Sequence, residues 1–372
     1  MDVPVLLLLA LVAIGAACIL APSLTAAAVD DSASWPAVGS FPRWLPARDH
    51  AILDASREAV QIDVVVSQDG TGNYTTVAAA VDAAPPSSRR RYVIHIRRGT
   101  YHEYVSIDKP NVVFIGDGMG VTVITGSHSV ADGWTTFNCG TVIVSGSGFI
   151  ARDLTITNTA GPTKGQAVAL RSSADLSVFY RCSFEGYQDT LYAHFGKQFY
   201  RECRITGTVD FIFGDAATVF QFCLILARRP LPGQANTITA QGRYSISATT
   251  GFTLQNCNIS ADADLAPYIE QIHSYLGRPW RNFSRTVVME TYIGSLIRPE
   301  GWLEWNGSFA LDTLYYGEYM NSGPGSELRG RVRWQGYHII TDPAVAANFT
   351  VARLIDGDSW LPSTGISYKS GL

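Results

Sequence analysis

The sequence predicts an all-β protein, a parallel β-helix whose short strands climb as a solenoid. Three observations predict it. From Asp63 onward, short β-branched runs alternate with Gly, Asn, Asp and Ser. Long amphipathic helical patterns are nearly absent. A three-residue pattern (a small or apolar residue, a spacer, a large apolar residue) recurs down the chain. Composition agrees: the 372 residues are 47% hydrophobic and 16% charged, enough to bury a large core and too apolar for disorder. A net charge of −4 argues against a nucleic-acid partner, which would want a basic face.

In chain order, Val5 to Ala21 is almost unbroken apolar sequence, followed by Pro22, Ser23 and Ala26-Ala27-Ala28. Residues 1–28 read as a secretory signal peptide, although Asp2 is the only charge in its n-region. The alternative is a retained membrane anchor, for which the run is short. Residues 29–60 read as a short leader or linker, with Pro36, Pro42 and Pro46 and then a helix-like stretch from Asp49 to Val60. The solenoid occupies 61–372. Five sequons, at Asn73, Asn258, Asn282, Asn306 and Asn348, fit a secreted, extracellular glycoprotein. Cleavage leaves five cysteines, an odd number, in a compartment that permits disulfides.

Within the solenoid, Thr76 to Ala84 is the best helix candidate, and the runs at Tyr92–Ile96, Val112–Ile115 and Thr141–Val144 are strands. The cysteines then serve as rulers. Leu154-Thr155-Ile156, Cys182-Ser183-Phe184, Cys203-Arg204-Ile205, Cys223-Leu224-Ile225, Cys257-Asn258-Ile259 and Thr291-Tyr292-Ile293 align, at steps of 28, 21, 20, 34 and 34 residues. A step near 21 is about one solenoid turn, and longer steps hold loops. Phe179, Tyr200, Phe220 and Leu254 stand three positions before the four cysteines. A β-propeller is the rival, but its blades would show hairpin turns at shorter spacing. Stacking places Cys182 and Cys203 on adjacent rungs, where a disulfide is expected. Cys223 with Cys257 is the next pair, and Cys139 is left free. The alternative is a column of reduced, buried thiols.

The same ruler finds acids. Asp189 and Asp210 each stand seven residues after a ruler cysteine, so they share one angular position on successive rungs. Strand spacing of about 4.8 Å makes them neighbours. Two such carboxylates cannot both ionise cheaply, and their pKa values are driven apart, as an acid and a base or nucleophile require. Two ordinary turn aspartates are the bland alternative. Gln188 precedes Asp189, and Gln166 lies one rung back. Their amides are neutral donors suited to an oxyanion, or else a polar ladder capping the stack. Tyr187, Tyr192, Phe211 and Phe213 add aromatic surface beside the acids. In Leu276-Gly277-Arg278-Pro279-Trp280, Arg278 is able to pair with a carboxylate and Trp280 to stack on a sugar ring.

At these residues the sequence resembles the plant-type pectin methylesterases, or pectinesterases. The matching segments are Gly99–Glu103, Gln166–Leu170, Tyr187–Leu191, Asp210–Gly214 and Leu276–Trp280, and the likeness runs from about Asp63 to Leu372. The resemblance implies a right-handed parallel β-helix as a single domain with long loops on one face. It implies hydrolysis of C6 methyl esters of polygalacturonate in the cell wall. Asp210 would be the nucleophile, Gln166 and Gln188 the oxyanion donors, and Asp189 the acid and then the base. Arg278 would hold Asp210 charged, and Trp280 and Phe213 would bind the sugar chain together with Gln166 and Arg278. Neither metal nor cofactor is implied. The expected partners are methyl-esterified pectin and a proteinaceous pectinesterase inhibitor, with the chain a monomer. His102 and His194 read as structural.

Three departures from the family stand out. About thirty residues separate the signal from the β-helix, where many members carry a long inhibitor-like pro-region. Asp215 stands where Asn is usual. The mild negative charge predicts weaker retention by a polyanionic wall than basic relatives have. Rival readings are a retaining glycosidase, a polysaccharide lyase and a non-catalytic wall-binding homologue. The glutamine pair speaks against the first, because glycoside cleavage passes through an oxocarbenium ion and not an oxyanion.

Overall fold

The computed structural model describes residues 61–372, so the expected signal peptide at 1–28 and leader at 29–60 lie outside the described residues. The strands form a seventeen-stranded and a seven-stranded sheet. The pairings along the repeat are parallel, residue for residue as the ruler aligns them. Leu154 pairs with Cys182, Phe184 with Ile205, Ile205 with Ile225, Ile225 with Ile259 and Ile259 with Ile293. The solenoid is therefore a parallel β-helix, its interior filled by like residues in columns. The rings of Phe179, Tyr200 and Phe220 stack with centroids 4.7 and 4.8 Å apart, which is the strand spacing itself.

The expected helix is Val77–Asp82. Thr76 caps it, and its Oγ1 accepts from the backbone N–H of Ala79. Glu103 accepts from the N–H groups of Val77 and Ala78, satisfying two donors that the first turn leaves open. Val77, Ala80 and Val81 pack into the core.

One corner of the solenoid has a simple local cause. Asp153, Arg181, Glu202, Phe222, Asn256, Glu290 and Met320 all adopt left-handed backbone, with φ between 48° and 57°. Each immediately precedes a position of the ruler column or its extension: Leu154, Cys182, Cys203, Cys223, Cys257, Thr291 and Asn321. A left-handed residue reverses the pleat for one step and bends the strand, at a conformational cost the stacked neighbours offset.

The corner also corrects the disulfide expectation. Cys182 and Cys203 are not bridged; both are free and fully buried, as are Cys223, Cys257 and Cys139. In-register side chains leave parallel strands side by side at about 4.8 Å, beyond the 3.5–4.5 Å Cβ separation of a disulfide. The thiol hydrogens also have another use. Cys182 donates to the carbonyl of Tyr180, Cys203 to those of Phe179 and Arg201, Cys223 to those of Tyr200 and Gln221, and Cys257 to those of Phe220 and Gln255. Thr291 continues the pattern with its hydroxyl, donating to Leu254 and Met289. The column is a hydrogen-bonded corner post.

The C-terminal segment covers the outer face of the larger sheet. Val351, Ile355, Trp360 and Leu361 pack on Val178, Phe199 and Val219. The tail is held by Gln221, whose amide donates to the carbonyl of Lys369 and accepts from its N–H. The smaller sheet runs through Val105–Ile107, Val142–Val144, Leu170–Ser172, Leu191–Ala193, Ile212–Gly214, Asn236–Gln241 and Ser274–Gly277, and it carries the candidate site.

Candidate active site

Asp189 and Asp210 lie just ahead of the paired strands Leu191–Ala193 and Ile212–Gly214, in which Leu191 is opposite Ile212. The two acids thus occupy equivalent places on adjacent rungs. Both have left-handed backbone, φ 62° and 50°, a conformation that Asp tolerates better than most residues. Only 7% of Asp189 and 5% of Asp210 is exposed, so neither charge is relieved by water.

The two carboxyls have different surroundings. Asp210 is gripped by Arg278, with Nε donating to Oδ1 and a terminal nitrogen to Oδ2, each at 2.8 Å. Thr237 adds a third bond, its hydroxyl donating to Oδ1 at 2.6 Å while accepting from the Asp210 N–H at 2.8 Å. Asp189 has no hydrogen bond to its carboxyl among the described residues. Burial pushes its pKa well above the ordinary carboxylate value, and the Asp210 charge pushes the same way, against a smaller pull from Arg278. Three donated hydrogen bonds fix the Asp210 carboxylate in place, and the environment favours the protonated form of Asp189. Oδ2 of Asp210, with one donor against two on Oδ1, is the oxygen with the freer lone pair.

Gln166 and Gln188 sit on neighbouring rungs, joined by the Ala167 N–H to the Gln188 carbonyl at 3.2 Å. Both are half-buried, and among the described residues neither side-chain amide has a protein partner. Four N–H bonds are therefore available for an incoming oxygen.

Beside the acids, Tyr192 and Phe213 stack with centroids 4.2 Å apart, and Trp280 meets both edge-on at 6.3 and 5.9 Å. Gly242 makes room for Trp280, since a Cβ there would stand 2.6 Å from the indole. Phe211 and Tyr187, the other aromatics singled out from sequence, are placed elsewhere. Phe211 points into the core, and Tyr187 lies under Arg228, whose guanidinium carbon is 3.9 Å from the ring centroid. His194 shares a hydrogen bond with Ser173 at 2.9 Å. Asp215 binds Thr250 and Gln241 at the base of the 244–250 loop. Burial raises its pKa, and the charges that pull it back down are Arg243 and Arg281.

Sequence reasoning missed two neighbours of the site. Thr237 lies one rung beyond Asp210, opposite it by extension of the Ile212–Thr239 register. The register was the available signal, but no cysteine marks the intervening loop. Trp305 lies against Arg278, with the guanidinium carbon 4.4 Å from its ring centroid. It comes from a loop that no periodicity reaches. Among the described residues, no group of three or more His, Cys, Asp or Glu side chains is placed to hold a metal ion.

A buried carboxyl clamped by an arginine beside one whose pKa is raised, with free amide donors alongside, is an arrangement able to attack an acyl carbon, stabilise an oxyanion and return a proton. Known proteins are similar to this chain. A pectinesterase and pectinesterase inhibitor of Prunus persica is 57% identical over 335 residues, covering 89% of this chain and 64% of that one. Pectinesterase 1 of Solanum lycopersicum is 54% identical over 345 residues, covering 92% and 63%. The chain thus spans a little under two thirds of the length of these relatives. The pectin methylesterase from carrot superposes with a TM-score of 0.84 at 51% identity, covering 85% of this chain and all of that one. The pectinesterase family pattern matches residues 63–358, a span that takes in every rung and every residue of the site, and the chain belongs to the pectinesterase family.

Proposed function

We propose that this protein hydrolyses the C6 methyl esters of pectin, releasing methanol and leaving free galacturonate. The observation that carries the reading is the split between the two acids: Asp210 clamped by hydrogen bonds from Arg278 and Thr237, Asp189 with its pKa raised by burial and by Asp210. The family's name supports the reaction, and a pectin methylesterase in complex with a hexasaccharide, 26% identical with a TM-score of 0.68, supports a sugar polymer as substrate.

Asp210 attacks the ester carbonyl carbon, and the carbonyl oxygen takes the negative charge. Amide N–H groups of Gln166 and Gln188 bind that oxyanion. The tetrahedral intermediate collapses, the carbon–methoxy bond breaks, and Asp189 gives its proton to the departing methanol. The product is an anhydride between Asp210 and the galacturonate. Asp189, now a carboxylate, takes a proton from water as the water attacks the anhydride carbonyl. Collapse frees the galacturonate, restores the Asp210 carboxylate and leaves Asp189 protonated. Arg278 orients the nucleophile throughout, and Trp280 with Phe213 forms the apolar platform for the sugar chain.

The site residues, the boundaries 1–28, 29–60 and 61–372, secretion to the cell wall and an inhibitor protein as partner belong to the same proposal. The apolar run at Val5–Ala21 and the exposed sequons support secretion.

The test is methanol release from highly methylated pectin by the secreted chain, with reducing ends and unsaturated products followed in parallel. Methanol alone is the expected result. Reducing ends or unsaturated products without methanol would move the acids to glycosidic chemistry, and pectin binding without any product would favour a wall-binding role.

A further inference from the structure

The sequons are not absorbed by the catalytic reading, and the structure separates them. Asn258 lies in strand Asn258–Ala261, between Leu224 and Tyr292 of the neighbouring rungs, and is only 6% exposed. Its side-chain oxygen accepts from Ser260. A sugar there has no room in the folded chain. Asn73, Asn282, Asn306 and Asn348 are exposed. Asn73 belongs to the turn beside the first strand and accepts from the Val65 N–H. Asn348 precedes Phe349, which packs on Val287 and Met289 of the larger sheet, away from the acids.

Asn282 and Asn306 are placed differently. Asn282 is two residues beyond Trp280. Its carbonyl accepts from the Thr313 hydroxyl, which ties its loop to the segment following Asn306. Asn306 directly follows Trp305, whose ring lies against Arg278, and Arg278 holds Asp210. Both asparagines therefore stand exposed in the loops that carry Trp280 and Trp305, bordering the candidate site.

We propose that Asn282 and Asn306 are N-glycosylation sites whose sugars narrow the mouth of the cleft and discriminate substrates by size. The kinetic half of this rests on the pectin esterase reading. In the modification, the asparagine side-chain nitrogen displaces a lipid-linked diphosphate from C1 of a preassembled oligosaccharide, as the secretory pathway supplies it. A C–N bond forms, the C–O bond to the diphosphate breaks, and the amide proton passes to the transferase. Ser284 and Ser308 supply the hydroxyls the sequon requires. The attached glycan is bulky and hydrated. A short methyl-esterified oligogalacturonide ends inside the cleft and passes it. A pectin polymer continues beyond both ends of the cleft and has to run alongside it.

The experiment secretes the full chain from a eukaryotic host and maps glycopeptides by mass. It then compares kcat/KM on polymeric pectin and on a methylated hexagalacturonide for the parent, Asn306→Gln, Ser308→Ala and the control Asn348→Gln. Occupancy is expected at Asn282 and Asn306, with Asn258 bare. Asn306→Gln and Ser308→Ala, which remove the same glycan by different routes, are expected to raise the polymer-to-hexamer ratio by about threefold. Asn348→Gln is expected to leave it unchanged. A bare Asn306 peptide, or an unchanged ratio in both rim variants, overturns the proposal. If no form releases methanol, the esterase reading fails, while the glycopeptide map still decides occupancy.

Discussion

Arg278 and Asp210, 68 residues apart in the chain, meet in a planar two-bond clamp with both distances at 2.8 Å. The geometry is specific to a guanidinium. Arg278→Lys keeps the charge and loses the fork, and is expected to lower kcat for methanol release by about 100-fold, or roughly 2.7 kcal/mol. Arg278→Ala leaves the buried Asp210 carboxyl without its cationic partner. It is expected to lower stability toward urea as well, near the lower end of the roughly 3–5 kcal/mol range for buried pairs, because the Arg278 side chain is 23% exposed. Full activity in the lysine variant would remove Arg278 from the mechanism.

Thr237 offers a finer test. Thr237→Val removes one donor to the Asp210 carboxylate and the acceptor for its N–H while keeping the shape. A bond to a charged group contributes about 1.5–3 kcal/mol, so kcat is expected to fall by about tenfold or more. Thr237→Ser retains the hydroxyl and should recover most of the rate. Equal losses in both variants would point to packing and not to the hydrogen bond.

Asp189 sets a pH dependence with a definite sign. Its folded pKa stands above its ordinary value of 3.8. A raised acid stabilises the fold fully below its unfolded pKa, and that contribution is lost as pH rises from there through the folded pKa. Asp189→Asn removes the penalty and tolerates the left-handed backbone. It is therefore expected to abolish turnover yet raise Tm at neutral pH, with the advantage closing as pH falls toward about 3.8. Thermal melts of both proteins across this range check it. A variant less stable than the parent at neutral pH would contradict the assigned charge states. In the parent, kcat should fall on the alkaline side, where Asp189 has lost the proton it gives to methanol.

The cysteine column makes a chemical prediction. Alkylation in denaturant without reductant should modify all five cysteines of the described chain, and reductant should leave Tm unchanged. Cys203→Ser keeps a donor for the Phe179 and Arg201 carbonyls and should cost less than Cys203→Val, which leaves both without that partner. A mass that shows Cys182 joined to Cys203 would refute this account.

The rungs were legible in the sequence because like residues stack, so Cys182, Cys203, Cys223 and Cys257 mark the turns directly. Asp189 and Asp210 were legible for the same reason, each at a fixed offset from a marker. The pairing chemistry of those cysteines was not, because spacing reports which residues are neighbours and says nothing of how their Cβ atoms are aimed. Phe211 and Phe213 show a similar limit. Two positions apart, they differ in side: Phe211 and its neighbour Ile212 both lie in the core, while Phe213 stacks on Tyr192. Trp305 was beyond reach, since it is brought to Arg278 by a loop with no period.

The uneven lengths of the turns decide where this protein tolerates insertion and deletion. Cys182 and Cys203 are 21 residues apart, as are Asp189 and Asp210, and this stretch is nearly all strand and corner. One residue added or lost between the acids would slide Asp210 out of step with Asp189 and flip the strand that follows. The two 34-residue turns have spare chain, in the segments 228–234, 244–250, 262–273 and 278–284. Changes of length are expected to be tolerated in these segments, which include the stretch around Trp280 and Asn282. The walls of the cleft can thus be lengthened, shortened or exchanged while the spacing of the two carboxylates stays fixed.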